Sequence, residues 1–289
     1  MVFLGVVSIS VASILIRLAE APALSIAAYR VGLATIFVAP YFVFRYNPSK
    51  DQWSLQTLRF TLLSGTFLAL HFVFWIHSLK LTSVASSVTL VSTTPLFAAV
   101  FSYFWLHEKA NRKIIWGILL TLIGSVFIAG TDFSFSSQAL VGDLLAILGA
   151  LMATGYLLAG RLVRRSLGLT AYIFSVYGVA ALILLICCYL TATPLRGFSA
   201  ETYLVLLLLA VIPQLIGHST FNWALKFLSA TVVAVLILGE PIGATLLAFL
   251  LLGETVTGFK AIGLLILGTG ILMCSFAVTP KRDRTGMQS

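Results

Sequence analysis

The chain resembles itself at a fixed distance of 146 residues. A lysine, a proline and a glutamate in the first half each recur in the second half: Lys80 with Lys226, Pro95 with Pro241, and Glu108 with Glu254. Two glycine pairs also match at this distance, Gly117 with Gly263 and Gly124 with Gly270. Self-similarity over a long, gap-free distance is the signature of a duplicated chain. The fold must therefore accommodate the same structural unit twice.

The matched halves are almost entirely apolar. Of 289 residues, 60% are hydrophobic and only 9% are charged, whereas a soluble domain carries about a quarter charged residues. Most of the apolar stretches approach the ~20 residues that a helix needs to cross a bilayer. There are ten of them: 2–16, 24–44, 58–79, 84–106, 114–130, 141–160, 171–191, 203–225, 230–252 and 261–278. The sequence therefore predicts an all-α membrane protein with ten transmembrane helices.

The repeat and the helix count together predict the arrangement of the two halves. Five helices is an odd number, so the second copy enters the membrane from the opposite side and the repeats are expected to be inverted. We predict a first repeat over residues 1–131, with helices one to five, and a second over 137–279, with helices six to ten. A basic cytoplasmic tail follows at 280–289. Because Met1 pairs with Ile147, inside the sixth stretch, the pairing leaves open whether the natural chain begins earlier.

The net charge of +9 is distributed unevenly between the two sides of the predicted bundle. If both termini are cytoplasmic, thirteen of the 18 lysines and arginines lie on that side and four on the other. This asymmetry follows the positive-inside rule, so it indicates membrane orientation rather than nucleic-acid binding. We expect a multi-pass protein of the plasma (inner) membrane with both termini in the cytoplasm, in contact with the lipid bilayer and without a nucleic-acid partner.

The sequence gives little support to an enzyme. The three cysteines, Cys187, Cys188 and Cys274, fall inside apolar stretches and lack the spacing of a metal site or a disulfide framework. There is no zinc-binding helix motif, no phosphate-binding glycine loop and no nucleophile elbow. We therefore expect no catalytic residues, no metal and no cofactor.

Several short segments resemble a known family when they are taken in order. They are Leu79-Lys-Leu-Thr-Ser-Val-Ala, Ser92-Thr-Thr-Pro-Leu-Phe-Ala-Ala, Leu106-His-Glu-Lys and Gly117 to Gly124, with a second set at Leu225-Lys-Phe-Leu-Ser, Glu240-Pro-Ile-Gly, Leu252-Gly-Glu and Gly263 to Gly270. Their order, doubled at constant spacing, resembles the EamA-type repeat of the drug/metabolite transporter superfamily over nearly the whole chain. The resemblance implies ten helices in two inverted repeats around a central cavity. It also implies movement of small metabolites such as amino acids, often outward.

One departure from related proteins concerns proton coupling. Small multidrug-resistance relatives in the superfamily carry an acidic residue in the middle of the first helix, whereas this first helix offers only Ser8, Ser10 and Ser13. Coupling to protons by that residue is therefore not expected here.

Two charged residues, Arg30 and Glu240, lie well inside the predicted spans, away from their ends, where a charge at mid-bilayer costs about 2.5 to 3.5 kcal/mol. Arg30 is close enough to the outer interface for its long side chain to extend toward water, with Glu20 as a potential partner, so we interpret it as a structural charge partner. Glu240 is short and central, so we expect it to face the bundle interior. It is the candidate for coupling transport to proton movement.

Polar and aromatic residues at helical spacing supply the candidate substrate contacts. His71 and Trp75 share one face of the third helix, and Gln214, His218 and Asn222 form a stripe on the eighth. Tyr156 in the sixth helix is a weaker candidate. Hydrogen bonding between helices is the competing explanation for all of them. Pro95 and Pro241 are expected to kink the fourth and ninth helices, because each proline removes one backbone hydrogen bond.

Taken together, these features predict a gradient-driven or exchange transporter of small organic metabolites. Export of amino acids or related solutes by alternating access around a midplane cavity is the favoured function, with protons as a candidate coupling ion. A multidrug or biocide efflux carrier is the alternative within the same class. A membrane-embedded enzyme or a structural membrane protein is the alternative from another class. The sequence leaves the substrate and the oligomeric state open.

Overall fold

A computed structural model describes residues 1–46, 51–107, 111–129, 136–252 and 256–277, and these ranges contain helices and no β-strand. The predicted tail at 280–289 lies outside them. The α-helices are α1 Val2–Ser10, α2 Ala12–Leu18, α3 Ala23–Arg45, α4 Leu55–Leu81, α5 Val84–Val91, α6 Thr94–Phe101, α7 Arg112–Ala129, α8 Ser137–Val163, α9 Leu169–Leu190, α10 Ala200–Leu209, α11 Ser219–Ala224, α12 Ala230–Ile237, α13 Gly239–Leu252 and α14 Gly258–Ala277. Two π-helical segments, Ser102–Leu106 and Ala210–His218, continue α6 and join α10 to α11.

Seven helical stretches are long and apolar enough to cross a membrane: Ala23–Phe44, Leu55–Leu81, Ser86–Trp105, Ser137–Val163, Leu169–Leu190, Ala200–Ala224 and Ala230–Leu247. Val2–Leu18 and Gly258–Cys274 are shorter apolar helices. Large apolar side chains project outward from the bundle, and Phe44, Tyr189 and Phe276 are each more than 80% exposed. Such a surface suits hydrocarbon rather than water. The prediction of an all-helical, multi-pass membrane protein is confirmed at this level.

The helix boundaries repeat at the same 146-residue distance as the sequence. α5 and α12 begin at residues 84 and 230 and end at 91 and 237, and α3 and α9 begin at 23 and 169. Matched serines cap α5 and α12 at their N-termini: the Ser83 hydroxyl accepts a hydrogen bond from the Ser86 amide, and the Ser229 hydroxyl accepts one from the Val232 amide. A serine in this position satisfies an amide that the first helical turn leaves unpaired.

The matched glycines bring α7 and α14 into close antiparallel contact. A β-carbon on Gly117 would lie 2.8 Å from the Gly270 carbonyl oxygen, and one on Gly263 would lie 2.8 Å from the Gly124 carbonyl oxygen. The N-terminal half of α7 therefore faces the C-terminal half of α14, and the C-terminal half of α7 faces the N-terminal half of α14. Only residues without side chains allow two helix backbones to approach this closely.

α3 and α9 also pack antiparallel. Phe42, near the end of α3, stacks on Phe174, near the start of α9, with ring centroids 4.4 Å apart. At the other end the Ser25 hydroxyl donates to the carbonyl of Pro194, just beyond α9, at 2.6 Å. Two pairs of helices related by the 146-residue shift therefore run in opposite directions.

The two prolines that match at 146 residues follow breaks between helices rather than bends within continuous helices. The chain passes from α5 to α6 through Ser92 and Thr93, just before Pro95, and from α12 to α13 at Leu238, just before Pro241. The Val91 carbonyl, which Pro95 deprives of its usual amide partner, accepts the Thr94 hydroxyl at 2.7 Å. The predicted kinks thus take the form of short helix breaks two to three residues upstream.

The π-helical segment Ala210–His218 was not predicted from the sequence. It contains Pro213, whose ring cannot donate the hydrogen bond expected of an α-helix, and insertion of a wider turn accommodates this loss. The wider turn changes the direction in which Gln214 and His218 project relative to a regular helix.

Candidate functional site

A buried cavity lies between helices from both halves of the chain. Its volume is about 60 Å³, and it is bounded by α1, α3, α4, α5, α8, α12 and α13 together with the residues around them. The polar and aromatic groups on its wall are Arg30, His71, Trp75, Ser92, Thr94, Tyr156, His218 and Glu240. Ligand sites are usually several times larger, on the order of 300 to 1,000 Å³. The cavity in this structure has room for only a few water molecules.

Arg30 projects into the bundle from α3. Its side chain is fully buried, and its Nε donates to the Gln214 side-chain oxygen at 2.9 Å. The guanidinium lies 4.3 Å from the ring centroid of Phe72 and 5.8 Å from that of Trp75, within the range of cation–π attraction. The outward conformation considered for Arg30, with Glu20 as its partner, is therefore not adopted. Inside the bundle, the rings of Phe72 and Trp75 and the side-chain oxygen of Gln214 interact with the guanidinium, which does not reach the membrane interface.

His71 and Trp75 contribute adjacent faces of the cavity wall from α4. The two rings stack with centroids 5.7 Å apart and planes 9° from parallel. The His71 Nδ1 lies 2.9 Å from the Gly149 carbonyl oxygen. Because a carbonyl only accepts hydrogen bonds, Nδ1 must carry the proton, and in the neutral ring Nε2 is left as an acceptor. Trp75 is 4% exposed, and its indole N–H has no hydrogen-bond partner in the described chain.

Tyr156 and Asn222 belong to a hydrogen-bond network at the edge of the cavity. The Tyr156 hydroxyl donates to the Asn222 side-chain oxygen at 2.6 Å, and the Asn222 amide donates to the Tyr177 hydroxyl at 3.2 Å. Tyr177 in turn lies 3.2 Å from the Ser219 hydroxyl. Of the predicted contacts, Tyr156 lines the cavity, whereas Asn222 lies behind it and orients Tyr156.

The stripe predicted on the eighth helix is thus divided between two layers. His218 lines the cavity, and its ring lies 5.5 Å from that of Phe72 and 6.3 Å from that of Tyr156. Gln214 and Asn222 instead hold Arg30 and Tyr156 in place. The wider turn of the π-helical segment accounts for the difference, because residues four apart no longer lie directly above one another.

Glu240 reaches the cavity from the first turn of α13, next to Pro241. Its Oε1 is buried and has no hydrogen-bond partner among the described residues. Among the described residues no ion pair joins Glu240 to Arg30, although both line the same cavity.

Four polar atoms around this space are buried without partners in the described ranges: Arg30 Nη1, Trp75 Nε1, Gln214 Nε2 and Glu240 Oε1. An unpaired buried polar group costs about 1 to 3 kcal/mol, and more when it is charged. Native proteins leave few such groups, and clusters of them indicate a place where water or a ligand completes the hydrogen bonding. This cluster therefore marks a candidate binding site within the described ranges.

Sequence reasoning missed Arg30 as part of the cavity wall and missed Tyr177 and Ser219 as members of the network. The position of Arg30 near one end of its helix allowed either direction for its side chain, and the sequence alone gave no signal between them. The described residues include no group of three or more His, Cys, Asp or Glu side chains suited to a metal ion.

Comparison with known proteins places the chain in a family. The sequence profile of the EamA-like transporter family matches residues 1–130 and again residues 140–276. The chain belongs to the EamA-like transporter family. It is therefore a membrane transporter of the drug/metabolite transporter superfamily, as its motifs had predicted.

Relatives with assigned names are also transporters. The chain is 22% identical to the uncharacterized transporter YxxF of Bacillus subtilis over 87% of its own length and 81% of that protein. It is 27% identical to the pseudopaline exporter CntI of Pseudomonas aeruginosa, over 78% of its own length and 77% of CntI. A solved crystal structure, 19% identical, aligns over 98% of this chain and 97% of the other with a TM-score of 0.79, which shows a shared fold.

Proposed function

We propose that this EamA-like transporter exports small organic metabolites, amino acids or related solutes, by alternating access. The observation that carries the proposal is the cavity whose polar wall includes residues from both halves of the chain, with unpaired buried polar atoms on Arg30, Trp75 and Glu240 in that wall among the described residues. A site between two halves can open to one side of the membrane and then to the other as the halves rock. The relationship to a protein named as an exporter favours outward movement.

We further propose that the chain forms ten transmembrane helices in two inverted repeats, 1–131 and 137–279. The antiparallel packing of α7 on α14 and of α3 on α9 supports inversion, since each pair is related by the 146-residue shift. Val2–Leu18, α7 and α14 supply the three helices beyond the seven longer spans. Both termini would lie in the cytoplasm, with the protein in the plasma membrane.

Gradients or exchange would drive transport, because the sequence contains no phosphate-binding loop of an ATPase. Glu240 is the residue proposed to link substrate to protons, since its carboxyl group faces the cavity with one oxygen unpaired. We propose no catalytic step, in keeping with a family whose members are transporters.

The multidrug alternative is less well supported by the cavity. Many biocides are organic cations, and the fully buried guanidinium of Arg30 would repel them. A cationic substrate would need Glu240 alone to outweigh that repulsion.

Transport assays with the purified protein in sealed proteoliposomes test the proposal. The vesicles are loaded with an amino-acid mixture, and exchange for external labelled amino acids is followed. We expect saturable exchange that protein-free vesicles lack. Chemical conversion of a solute without its movement would favour an enzyme, and movement of organic cations alone would favour a multidrug carrier.

A further inference from the structure

A groove on the lateral surface of the bundle lies between α7 and the helix formed by α6 and the π-helical segment Ser102–Leu106. Its volume is about 440 Å³, and Ile118, only 3% exposed, forms part of its floor. The side chains along its edges are each at least 40% exposed: Leu96, Val100, Tyr103, Phe104, Ile115 and Leu119. An exposed apolar surface of this kind faces hydrocarbon in a membrane protein, so the α6–α7 groove opens toward lipid.

The length of the α6–α7 groove matches one leaflet of a bilayer. Leu96 and Phe104 are eight residues apart, which corresponds to about 12 Å along the helix at 1.5 Å per residue. The hydrocarbon core is ~30 Å thick, so one leaflet accounts for about 15 Å. The groove is therefore long enough to hold most of one lipid acyl chain.

Basic residues lie at the end of the groove where α7 begins. Arg112 and Lys113 are both exposed in the first turn of that helix. Arg112 lies three residues before Ile115 and seven before Leu119, so it shares one helix face with these two groove residues. Residues 107–113, which join the π-helical segment to α7, contain two lysines and one arginine against one glutamate, a net charge of +2 with histidine neutral. This end of the groove therefore attracts an anion.

A ligand must combine an apolar chain with an anionic group to use both features. A zwitterionic phospholipid fills the groove, but its own cation offsets the attraction of the basic residues, and a soluble phosphate leaves the groove empty. Lysines and arginines beside the cytoplasmic end of a membrane helix attract anionic lipids. We propose that the α6–α7 groove binds one acyl chain of an anionic phospholipid, whose phosphate lies at Arg112 and Lys113. In the orientation proposed above, this lipid belongs to the cytoplasmic leaflet, and its binding does not depend on which solute is transported.

α6 lies between this groove and the central cavity. Thr94, its first residue, lines the cavity, whereas Leu96 lines the groove. Ile118 in the groove floor belongs to the same apolar cluster as Val232 and Val235 of α12, another helix of the cavity wall. An acyl chain in the groove contacts α6 and α7 at once and adds apolar contacts beside this cluster. The lipid should therefore stabilise the bundle, since a ligand that binds only the folded state raises the unfolding temperature.

Lipid binding to the delipidated full-length protein in a non-ionic detergent tests the proposal. Phosphatidylglycerol and phosphatidylcholine with the same acyl chains are titrated separately, and native mass spectrometry counts the bound lipids. We expect one phosphatidylglycerol site that is at least about tenfold tighter than any phosphatidylcholine site, because two basic residues contribute about fivefold each. Occupation of that site should also raise the unfolding temperature. Equal affinity for the two lipids overturns the proposal.

A substitution that fills the groove tests where the acyl chain lies. Val100 is 44% exposed on α6, so Val100→Trp occupies the groove without disturbing the buried core. We expect this variant to lose the tight phosphatidylglycerol site. Val126→Trp is the matched control, because Val126 is 54% exposed on α7 and does not line the groove.

A change of charge tests where the phosphate lies. Arg112→Gln should weaken phosphatidylglycerol binding about fivefold and leave phosphatidylcholine binding unchanged, because it removes one cation at the end of the groove. Arg196→Gln makes an equal change of charge at an exposed position between α9 and α10, and we expect it to alter neither affinity.

Three results would contradict the proposal. One is a tight phosphatidylglycerol site that persists in Val100→Trp, and another is an unchanged affinity for that lipid in Arg112→Gln. The third is a dimer in detergent that Val100→Trp disrupts and Val126→Trp leaves intact, which would assign the groove to a second copy of the chain. These measurements follow binding and stability in the absence of a transported solute, so their outcome is independent of the transport assays.

Discussion

At the scale of single residues, Glu240 is the residue proposed to couple substrate movement to protons. Its carboxyl group faces the cavity beside Pro241, and its Oε1 is buried without a hydrogen-bond partner among the described residues. The titratable and charged groups that line the cavity with it are Arg30, His71, Tyr156 and His218. Exposure of this carboxyl group to each side of the membrane in turn would let it take up a proton on one side and release it on the other.

Glu240→Gln tests this coupling. Glutamine resembles the protonated acid and cannot be charged, so we expect the variant to retain substrate-for-substrate exchange but lose accumulation driven by a pH gradient. The measurement is uptake into proteoliposomes with and without an imposed gradient, over a range of pH. A variant that still concentrates substrate in response to the gradient rules out Glu240 as the coupling residue.

His71 and Trp75 are expected to affect transport more than folding. Replacing either by Ala removes part of the stacked pair and, at Trp75, an unpaired donor, while the glycine contacts of the bundle remain. We expect at least about a tenfold loss in exchange rate, from lost hydrogen bonding and stacking. Trp116→Ala is the matched control, because that side chain is 60% exposed on α7. Rates are compared at equal amounts of protein in the membrane, and unchanged kinetics in both variants would remove the pair from the site.

The sequence predicted many of the residues in the cavity wall. It did not predict which candidates line the cavity and which, such as Gln214 and Asn222, lie behind those residues. His71, Trp75, Tyr156, His218 and Glu240 line one cavity, as expected of polar groups that avoid lipid. Helical spacing identifies residues that share a face of one helix, but it does not determine which neighbouring helix that face meets. The inward direction of Arg30 depends on Gln214, 184 positions away, and no local pattern encodes that contact.

At the scale of helices, glycines and prolines have separate roles. Glycines let α7 and α14 touch along their backbones, and prolines accompany the breaks before α6 and α13 and the π-helical segment between α10 and α11. The glycines recur seven apart on one face of each helix, a spacing that suits this contact. The sequence could not predict the π-helical segment, since a proline permits a kink, a break or a wider turn and the surrounding packing selects among them.

Substitutions in α14 test the role of the glycine contact. In Gly263→Ala the new β-carbon would lie 2.8 Å from the Gly124 carbonyl oxygen, closer than real β-carbons approach, so one helix must shift. Overpacking of this kind costs roughly 1 to 3 kcal/mol, and we expect a clear fall in the unfolding temperature in detergent. Gly268→Ala lies on the same helix with no neighbouring atom within 4 Å and is the matched control. Equal stability of the two variants would show that the close approach of α7 and α14 contributes little.

At the scale of the whole molecule, two antiparallel pairs of equivalent helices give the fold an approximate internal symmetry, and the cavity departs from it. The glycines and prolines recur at 146 residues, but Glu240 corresponds to Thr94 and His71 to Gly217. In the proposed mechanism, a symmetric frame would allow the two halves to exchange conformations, while the residues without a matching partner would line the pocket. The repeat therefore carries information about the packing of the helices, whereas the polar residues of the cavity have to be identified one by one.

The orientation of the molecule in the membrane is the remaining prediction at this scale. With thirteen lysines and arginines on one side and four on the other, both termini are expected in the cytoplasm and the segment from Asp132 to Gln138 on the outer face. Residues 130–135 lie outside the described ranges, but Ser136, just before α8, is exposed. In a background without Cys187, Cys188 and Cys274, we expect Ser136→Cys to react with an impermeant thiol reagent in intact cells. Gln52→Cys, exposed between α3 and α4 on the opposite side, should react only after lysis. The reverse pattern would invert the topology, and with it the direction in which the proton gradient acts on Glu240.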